Sequence, residues 1–109
     1  MRLIHTITAL LLACIPMVAR ADDMASIVRD YDAFAATVDP VRAGDMGDAA
    51  ARTRWPDVTP AAVAAQTAAL QGFAQRLDAQ AGATLSADDA LNRALLDDRI
   101  ATELAGRRF

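Results

Sequence analysis

The sequence lacks lysine altogether, and its only histidine and only cysteine, His5 and Cys14, fall within the first 21 residues. The rest of the chain therefore has no imidazole or thiolate that could bind zinc, activate a nucleophile or form a disulfide. Its two serines, Ser26 and Ser86, have no histidine or lysine to act as a base. We predict no catalytic residue, no cofactor-binding residue and no metal ligand in this part of the chain.

Carboxylates are abundant, but their spacing does not suit a metal site. Several aspartates occur as adjacent pairs, Asp22-Asp23, Asp88-Asp89 and Asp97-Asp98, and none has the alternating spacing of a calcium-binding loop. Neighbouring residues on a helix point about 100° apart. We therefore expect each pair to be solvated rather than to form a catalytic pair of carboxylates.

The first 21 residues have the pattern of a secretory signal peptide. Arg2 supplies a positive start, residues 7–18 are almost wholly apolar, and Ala19 and Ala21 form a small-x-small cleavage site before Asp22. The apolar run is shorter than the ~20 residues that a membrane-spanning helix needs. We predict a signal peptide over residues 1–21 and a mature chain that is periplasmic or secreted.

A second interpretation of the same segment is a lipoprotein signal. Cys14 follows Leu11-Leu12-Ala13, which approximates a lipoprotein box. Processing there would make an acylated Cys14 the first residue and anchor the chain in the envelope. On either interpretation, contact with a membrane is expected only through the signal or through this lipid.

The charge of the chain is acidic, and its positive charge comes from arginine alone. Without Arg2 and Arg20, residues 22–109 carry nine arginines against fourteen acidic residues, a net charge of −5. This balance disfavours nucleic acid and anionic lipid as partners.

Alanine dominates residues 22–109, which favours helices. Apolar spacing predicts three amphipathic helices, at about 23–38, 60–81 and 87–105, and an all-α fold. Thr59-Pro60 and Ser86 are expected to start the second and third helices, and Gly82 to end the second in a left-handed turn. The residues expected to face the core recur at helical spacing: Met24, Ile27, Val28, Tyr31, Phe34, Ala35, Val38, Val63, Thr67, Leu70, Phe73, Ala74, Leu77, Leu91, Leu95, Leu96, Ile100 and Leu104.

Residues 40–58 show no sustained period and are predicted to form either a long ordered loop or a partly mobile connection between the first two helices. Arg52, Arg54 and Trp55 are its most distinctive residues. One interpretation is that they bind an anionic or sugar-like ligand, because an indole face and guanidinium groups suit one. The favoured interpretation is that Trp55 packs against the helices while the arginines pair with nearby aspartates.

The order of several short motifs resembles the N-terminal region of the domain-of-unknown-function 885 family, over essentially all of residues 22–109. The family begins with a signal or lipoprotein segment, an early helix, a loop marked by proline and glycine, and an alanine-rich helical pair. The matching motifs are Asp39-Pro40, Gly44-Asp45, the run from Arg54 to Ala62, and Leu85-Ser86 through Leu91-Asn92.

This resemblance implies a larger, mostly helical parent protein related to zinc metallopeptidases through a His-Glu-x-x-His helix far downstream. The present chain has no such helix, so no catalytic or zinc-binding residue of the family can be placed on it. Zinc is expected only for the parent.

Two hypotheses follow for the function. The first is that the chain, which stops at Phe109 just past the third predicted helix, is a catalytically silent N-terminal fragment of such a metal-dependent hydrolase. The alternative is a complete small periplasmic helical module that packs against a partner or a second copy of itself.

Overall fold

The structure, a computed structural model, describes residues 22–109, so the predicted signal peptide with His5, Cys14, Ala19 and Ala21 lies outside the described residues. The regular elements within this range are all helices and none is a strand, which confirms the all-α prediction. None of these helices is both long and apolar enough to cross a membrane. In chain order they are α1 (Met24–Val38), α2 (Pro40–Asp45), a 3₁₀ turn (Ala51–Thr53), α3 (Pro60–Asp78) and α4 (Ala87–Gly106).

The three long helices begin at side chains that cap their free backbone N–H groups. The Asp23 carboxylate accepts the Ser26 N–H at 2.8 Å and starts α1. The Thr59 hydroxyl accepts the Ala62 N–H at 3.3 Å, and Pro60 occupies the first turn of α3. The Ser86 hydroxyl accepts the Asp89 N–H at 3.1 Å at the start of α4. The predicted starts at Thr59-Pro60 and Ser86 are confirmed.

The prediction of a long loop over residues 40–58 is wrong for residues 40–45 and 51–53, which are helical, and α2 begins immediately after α1. The Asp39 N–H donates to the Ala35 carbonyl at 2.9 Å and so belongs to the end of α1. The Asp39 carboxylate accepts the Arg42 N–H at 3.0 Å and so caps α2. Pro40 then sits at the first position of a helix, where its missing N–H is not needed.

The end of α3 also differs from the prediction. The helix stops at Asp78, three residues before the expected end, and the chain turns through bonds from the Gln80 N–H to Leu77 and from the Ala81 N–H to Asp78. Gly82 is not left-handed: within residues 22–109 only Gly47, with φ 108°, has a positive φ. Right-handed turns therefore end α3, and Gly82 is not its left-handed stop.

The core is small and lies where α1, α3 and α4 meet. Its buried members are Met24, Ile27, Tyr31, Leu70, Phe73, Leu77 and Ile100. All seven were predicted from their spacing. Most of the other expected core residues are half-buried at its edge: Val28, Phe34, Ala35, Ala74, Leu96 and Leu104.

The broad apolar face predicted for α4 is wrong at its N-terminal half. Ile100 is 2% exposed, whereas Leu91 and Leu95 are 58% and 60% exposed. At about 100° per residue, Leu91 lies on the opposite side of the helix from Ile100, and Leu95 lies about 140° from it. The leucines therefore form a second face of α4 that points away from the core.

Arg76 joins the start of α1 to α3. Its guanidinium donates to Asp22 at 2.7 and 3.1 Å and to Asp30 at 2.7 Å, while the buried Gln80 donates its side-chain N–H to the Asp22 carbonyl at 2.6 Å. The hydrogen bond from Arg76 holds the pKa of the Asp22 carboxyl below its usual value. The residue expected to follow signal cleavage is therefore tied to α3 through its carboxylate and its backbone.

Replacing Arg76 with glutamine is expected to make the free energy of unfolding depend less on pH in the acidic range. A carboxyl whose pKa is lowered by folding stabilises the folded state above its unfolded pKa, and that contribution disappears as the pH falls through the folded pKa. Wild-type protein should therefore lose more stability than Arg76→Gln between about pH 5 and pH 2, measured by urea unfolding. Arg54→Gln removes an exposed arginine that has no ion pair among the described residues and serves as the control. A pH profile for Arg76→Gln identical to that of wild type would contradict this role.

Candidate functional site

A groove of about 730 Å³ runs between α1, α2 and the C-terminal half of α4. This volume falls within the range of roughly 300–1,000 Å³ that small-molecule sites occupy. The residues that give the groove its apolar surface come from α1, α2 and the segment after α2: Tyr31, Phe34, Ala35, Val38, Ala43 and Met46. Tyr31, Phe34, Ala35 and Val38 are also residues that the spacing predicts to face the core. One edge of the core therefore also forms a wall of the groove.

Tyr31, Glu103 and Arg99 form a hydrogen-bonded group at one side of the groove. The Tyr31 hydroxyl donates to the Glu103 carboxylate at 2.8 Å, and Arg99 Nε donates to the same oxygen at 2.6 Å. Burial raises the pKa of the Tyr31 hydroxyl, and its bond to Glu103 raises it further. Tyr31 therefore remains a neutral donor, and the group fixes α1 against α4 rather than supplying a base.

Two other arginines of the groove, Arg42 and Arg107, have no acidic partner among the described residues. One guanidinium nitrogen of Arg107 donates to the Gln66 side-chain oxygen at 3.2 Å. Its Nε is buried and has no hydrogen-bond acceptor within the part of the chain that the structure describes. A buried donor without an acceptor costs about 1–3 kcal/mol. Because this atom is closed off from solvent, it is a local cost to folding and not a donor that a ligand in the groove reaches.

Two of the aspartates in the groove are engaged with backbone at the start of helical turns. Asp39 caps α2 through the Arg42 N–H, and Asp48 accepts the N–H groups of Ala50 and Ala51 at 3.0 and 3.1 Å. The positive ends of helical turns offset part of these negative charges. Asp32 is the one acidic residue of the groove that has no such partner among the described residues.

The predicted packing of Trp55 against the helices is wrong, because its side chain is 88% exposed. The predicted pairing of the loop arginines with aspartates is wrong as well. Asp57 instead accepts the Thr59 N–H at 3.0 Å, which lowers the pKa of the Asp57 carboxyl. In the described range, Arg54 forms no ion pair, and no cation–π contact joins it to Trp55.

Arg52 is held against α2 by its side chain. Its Nε donates to the Gly44 carbonyl at 3.2 Å. A β-carbon at residue 44 would lie 2.9 Å from Arg52 Cγ, so the lack of a side chain at Gly44 allows this approach. All three residues that the sequence singled out are exposed, and of the three only Arg52 is bonded to α2.

The remaining chemical candidates have structural roles. Ser26 accepts a hydrogen bond from Arg29 at 3.2 Å, and Ser86 caps α4. Of the paired aspartates, Asp23 caps α1 and Asp22 forms an ion pair with Arg76. The other two pairs, Asp88-Asp89 and Asp97-Asp98, lie on α4. No cluster of three or more histidine, cysteine, aspartate or glutamate residues that could hold a metal occurs within residues 22–109.

Comparison of the chain with protein-family models, with curated proteins and with solved structures found no match. The candidate site therefore rests on its own geometry. Sequence reasoning did not find the groove, because Arg42, Glu103 and Arg107 lie far apart in the chain and belong to no recognisable motif.

Proposed function

We propose that residues 22–109 form a helical docking module of the cell envelope that has no catalytic group of its own, and that the module docks through the outer face of α4. This face is the side of the helix turned away from Ile100. Its exposed members include Leu91, Ala94, Leu95, Asp98, Thr102 and Ala105.

The observation that carries this proposal is the exposure of Leu91 and Leu95 on one helix. Residues four apart are neighbours on a helix surface, so the two side chains form one apolar patch together with Ala94. A single exposed leucine is ordinary, but a contiguous patch favours an interaction site. Burying a leucine side chain contributes about 1.5–3 kcal/mol. Covering both would therefore contribute appreciably to binding.

The resemblance to the domain-of-unknown-function 885 family supplies the first candidate for the partner surface. On this hypothesis, residues 22–109 are the leading helical segment of a larger parent protein. Helices further along that protein then cover the outer face of α4. Zinc and the hydrolysis of peptide-like substrates would then belong to those downstream residues. The alternative is a complete periplasmic module, in which a separate chain or a second copy covers the same face.

The intact mass of the native product in envelope fractions distinguishes the hypothesis of a larger parent protein from that of a complete module. A product several hundred residues longer supports the family reading, and a mass for Asp22 to Phe109 supports the complete module. The same spectrum tests the proposed cleavage after Ala21, because processing at Cys14 would add a lipid and retain residues 14–21.

The double substitution Leu91→Gln/Leu95→Gln tests the docking face. Glutamine is nearly as good a helix former as leucine, and both positions are exposed, so the fold should be kept while the apolar patch is lost. Where a separate chain or a second copy covers the face, we expect the tagged chain in envelope extracts to shift from a larger assembly to its own mass on size-exclusion chromatography. Where helices of the same longer chain cover it, we expect the midpoint of urea unfolding of that chain to fall instead. Thr102→Gln, on the same face but outside the leucine patch, is the matched control. An unchanged assembly together with an unchanged unfolding midpoint in the double variant would contradict the proposal.

A further inference from the structure

We infer that the groove between α1, α2 and α4 binds a single-chain amphiphile with a carboxylate head group, such as a free fatty acid. The groove lies on a different side of α4 from the outer face, because it uses Arg99, Glu103 and Arg107 rather than the exposed leucines. The inference therefore does not depend on the docking module.

The apolar part of the ligand follows from the surface of the groove. Phe34, Ala35, Val38 and Met46 line it with carbon, and its volume of about 730 Å³ accommodates an acyl chain. The groove is partly open to solvent rather than enclosed. Apolar contact of this kind is proportional to buried area and does not by itself select a head group.

The acidic head group is inferred from the arginines of the groove that have no acidic partner in the described part of the chain. Arg99 is matched by Glu103 at 2.6 Å, whereas Arg42 and Arg107 have no acidic partner within residues 22–109. A guanidinium only donates, and its planar fork fits a carboxylate.

The acidic residues of the groove do not reverse its preference for a carboxylate head group. The formal charge of the lining is −1, from three arginines against four acids. Glu103 is already bonded to Arg99 and Tyr31, and Asp39 and Asp48 cap helical turns. The free donors thus come from Arg42 and Arg107 and the one free acceptor from Asp32. Local contact with these two arginines favours a carboxylate head group, although the net charge of −5 on residues 22–109 disfavours an anionic lipid surface.

Isothermal titration calorimetry with dodecanoate below its micelle concentration tests the inference on the chain from Asp22 to Phe109, with helicity checked by circular dichroism. We expect wild-type protein to bind dodecanoate, and Arg42→Gln/Arg107→Gln to bind it at least tenfold more weakly. Arg108→Gln, which removes the next arginine outside the groove, should bind as wild type does. Dodecyltrimethylammonium has the same chain with a positive head group and should not bind.

A second variant keeps the test informative if the double arginine variant fails to fold. Met46 is an exposed residue of the groove, so Met46→Glu places a negative charge there at little risk to the core. Val41→Glu makes the same charge change on an exposed residue of α2 outside the groove. Dodecanoate binding should weaken at least tenfold in Met46→Glu and stay unchanged in Val41→Glu. Absence of dodecanoate binding to wild type, equal binding of the cationic amphiphile, or equal affinities of the two glutamate variants would overturn the inference.

Discussion

Ile100→Asp is expected to abolish the folded state. Ile100 is the one fully buried residue that α4 contributes to the core, and its neighbours there are apolar residues of α1 and α3. No cation is among those core residues, so a carboxylate at this position would be buried without a partner, which costs several kcal/mol. A small domain has a total stability of only about 5–15 kcal/mol. Far-UV circular dichroism and urea unfolding of the variant should therefore show little or no cooperative transition.

Leu95→Asp is the matched control for this prediction. It places the same charge on the same helix, five residues earlier and on the exposed side. Helix propensity disfavours aspartate by a few tenths of a kcal/mol, so we expect a loss of less than about 1 kcal/mol. Unfolding by Leu95→Asp together with a stable Ile100→Asp would contradict the orientation of α4.

Phe73→Ala is expected to destabilise the protein by about 3–5 kcal/mol, as is usual when a buried aromatic residue is truncated. The Phe73 ring lies 5.6 Å from the ring centroids of both Tyr31 and Phe34, and it meets Tyr31 edge-on at 80°. The Arg76 guanidinium lies 5.5 Å from its centroid. The substitution thus removes contacts between α1 and α3 as well as apolar burial. The midpoint of urea unfolding should fall with little change in slope.

Gln75→Ala is the control for the loss of Phe73. Gln75 is exposed and two residues away on the same helix, so its removal should change the free energy of unfolding by less than about 0.5 kcal/mol. A Phe73→Ala protein as stable as Gln75→Ala would show that the aromatic cluster does not hold α1 against α3.

Local signals in the sequence were sufficient for the helix starts and for most of the core. Thr59-Pro60 and Ser86 act on backbone N–H groups within three residues, so their effect does not depend on the rest of the fold. Met24, Ile27 and Tyr31 repeat at helical spacing on a helix with one apolar side, and that side is buried.

The errors arise where one local pattern fits two structures. Asp39-Pro40 can end a helix or start one, and here it does both. Helix α4 has leucines on two sides, and only packing against α1 and α3 decides that the side with Ile100 is buried. Trp55 precedes a proline in an irregular segment, so its burial depended on contacts that no periodicity predicts.

The groove could not be predicted because it is a product of tertiary packing. Residues from α1 and α4 meet there only after the helices dock, as the bond between Tyr31 and Glu103 shows. Its free arginines also look like ordinary surface charges in the sequence. What identifies them is the absence of acidic partners for Arg42 and Arg107 in the described part of the fold.

Photo-cross-linking in intact cells shows whether another protein surface covers the outer face of α4. A photoreactive amino acid replaces Leu95 on the outer face of α4, or the exposed Gln75 of α3 as a matched position. We expect irradiation to cross-link residue 95 to a covering protein surface, whether of the same longer chain, a second copy or another protein, and to leave residue 75 largely unreacted. Equal yields at the two positions, or no product at residue 95, would contradict the claim that the outer face of α4 is a docking surface.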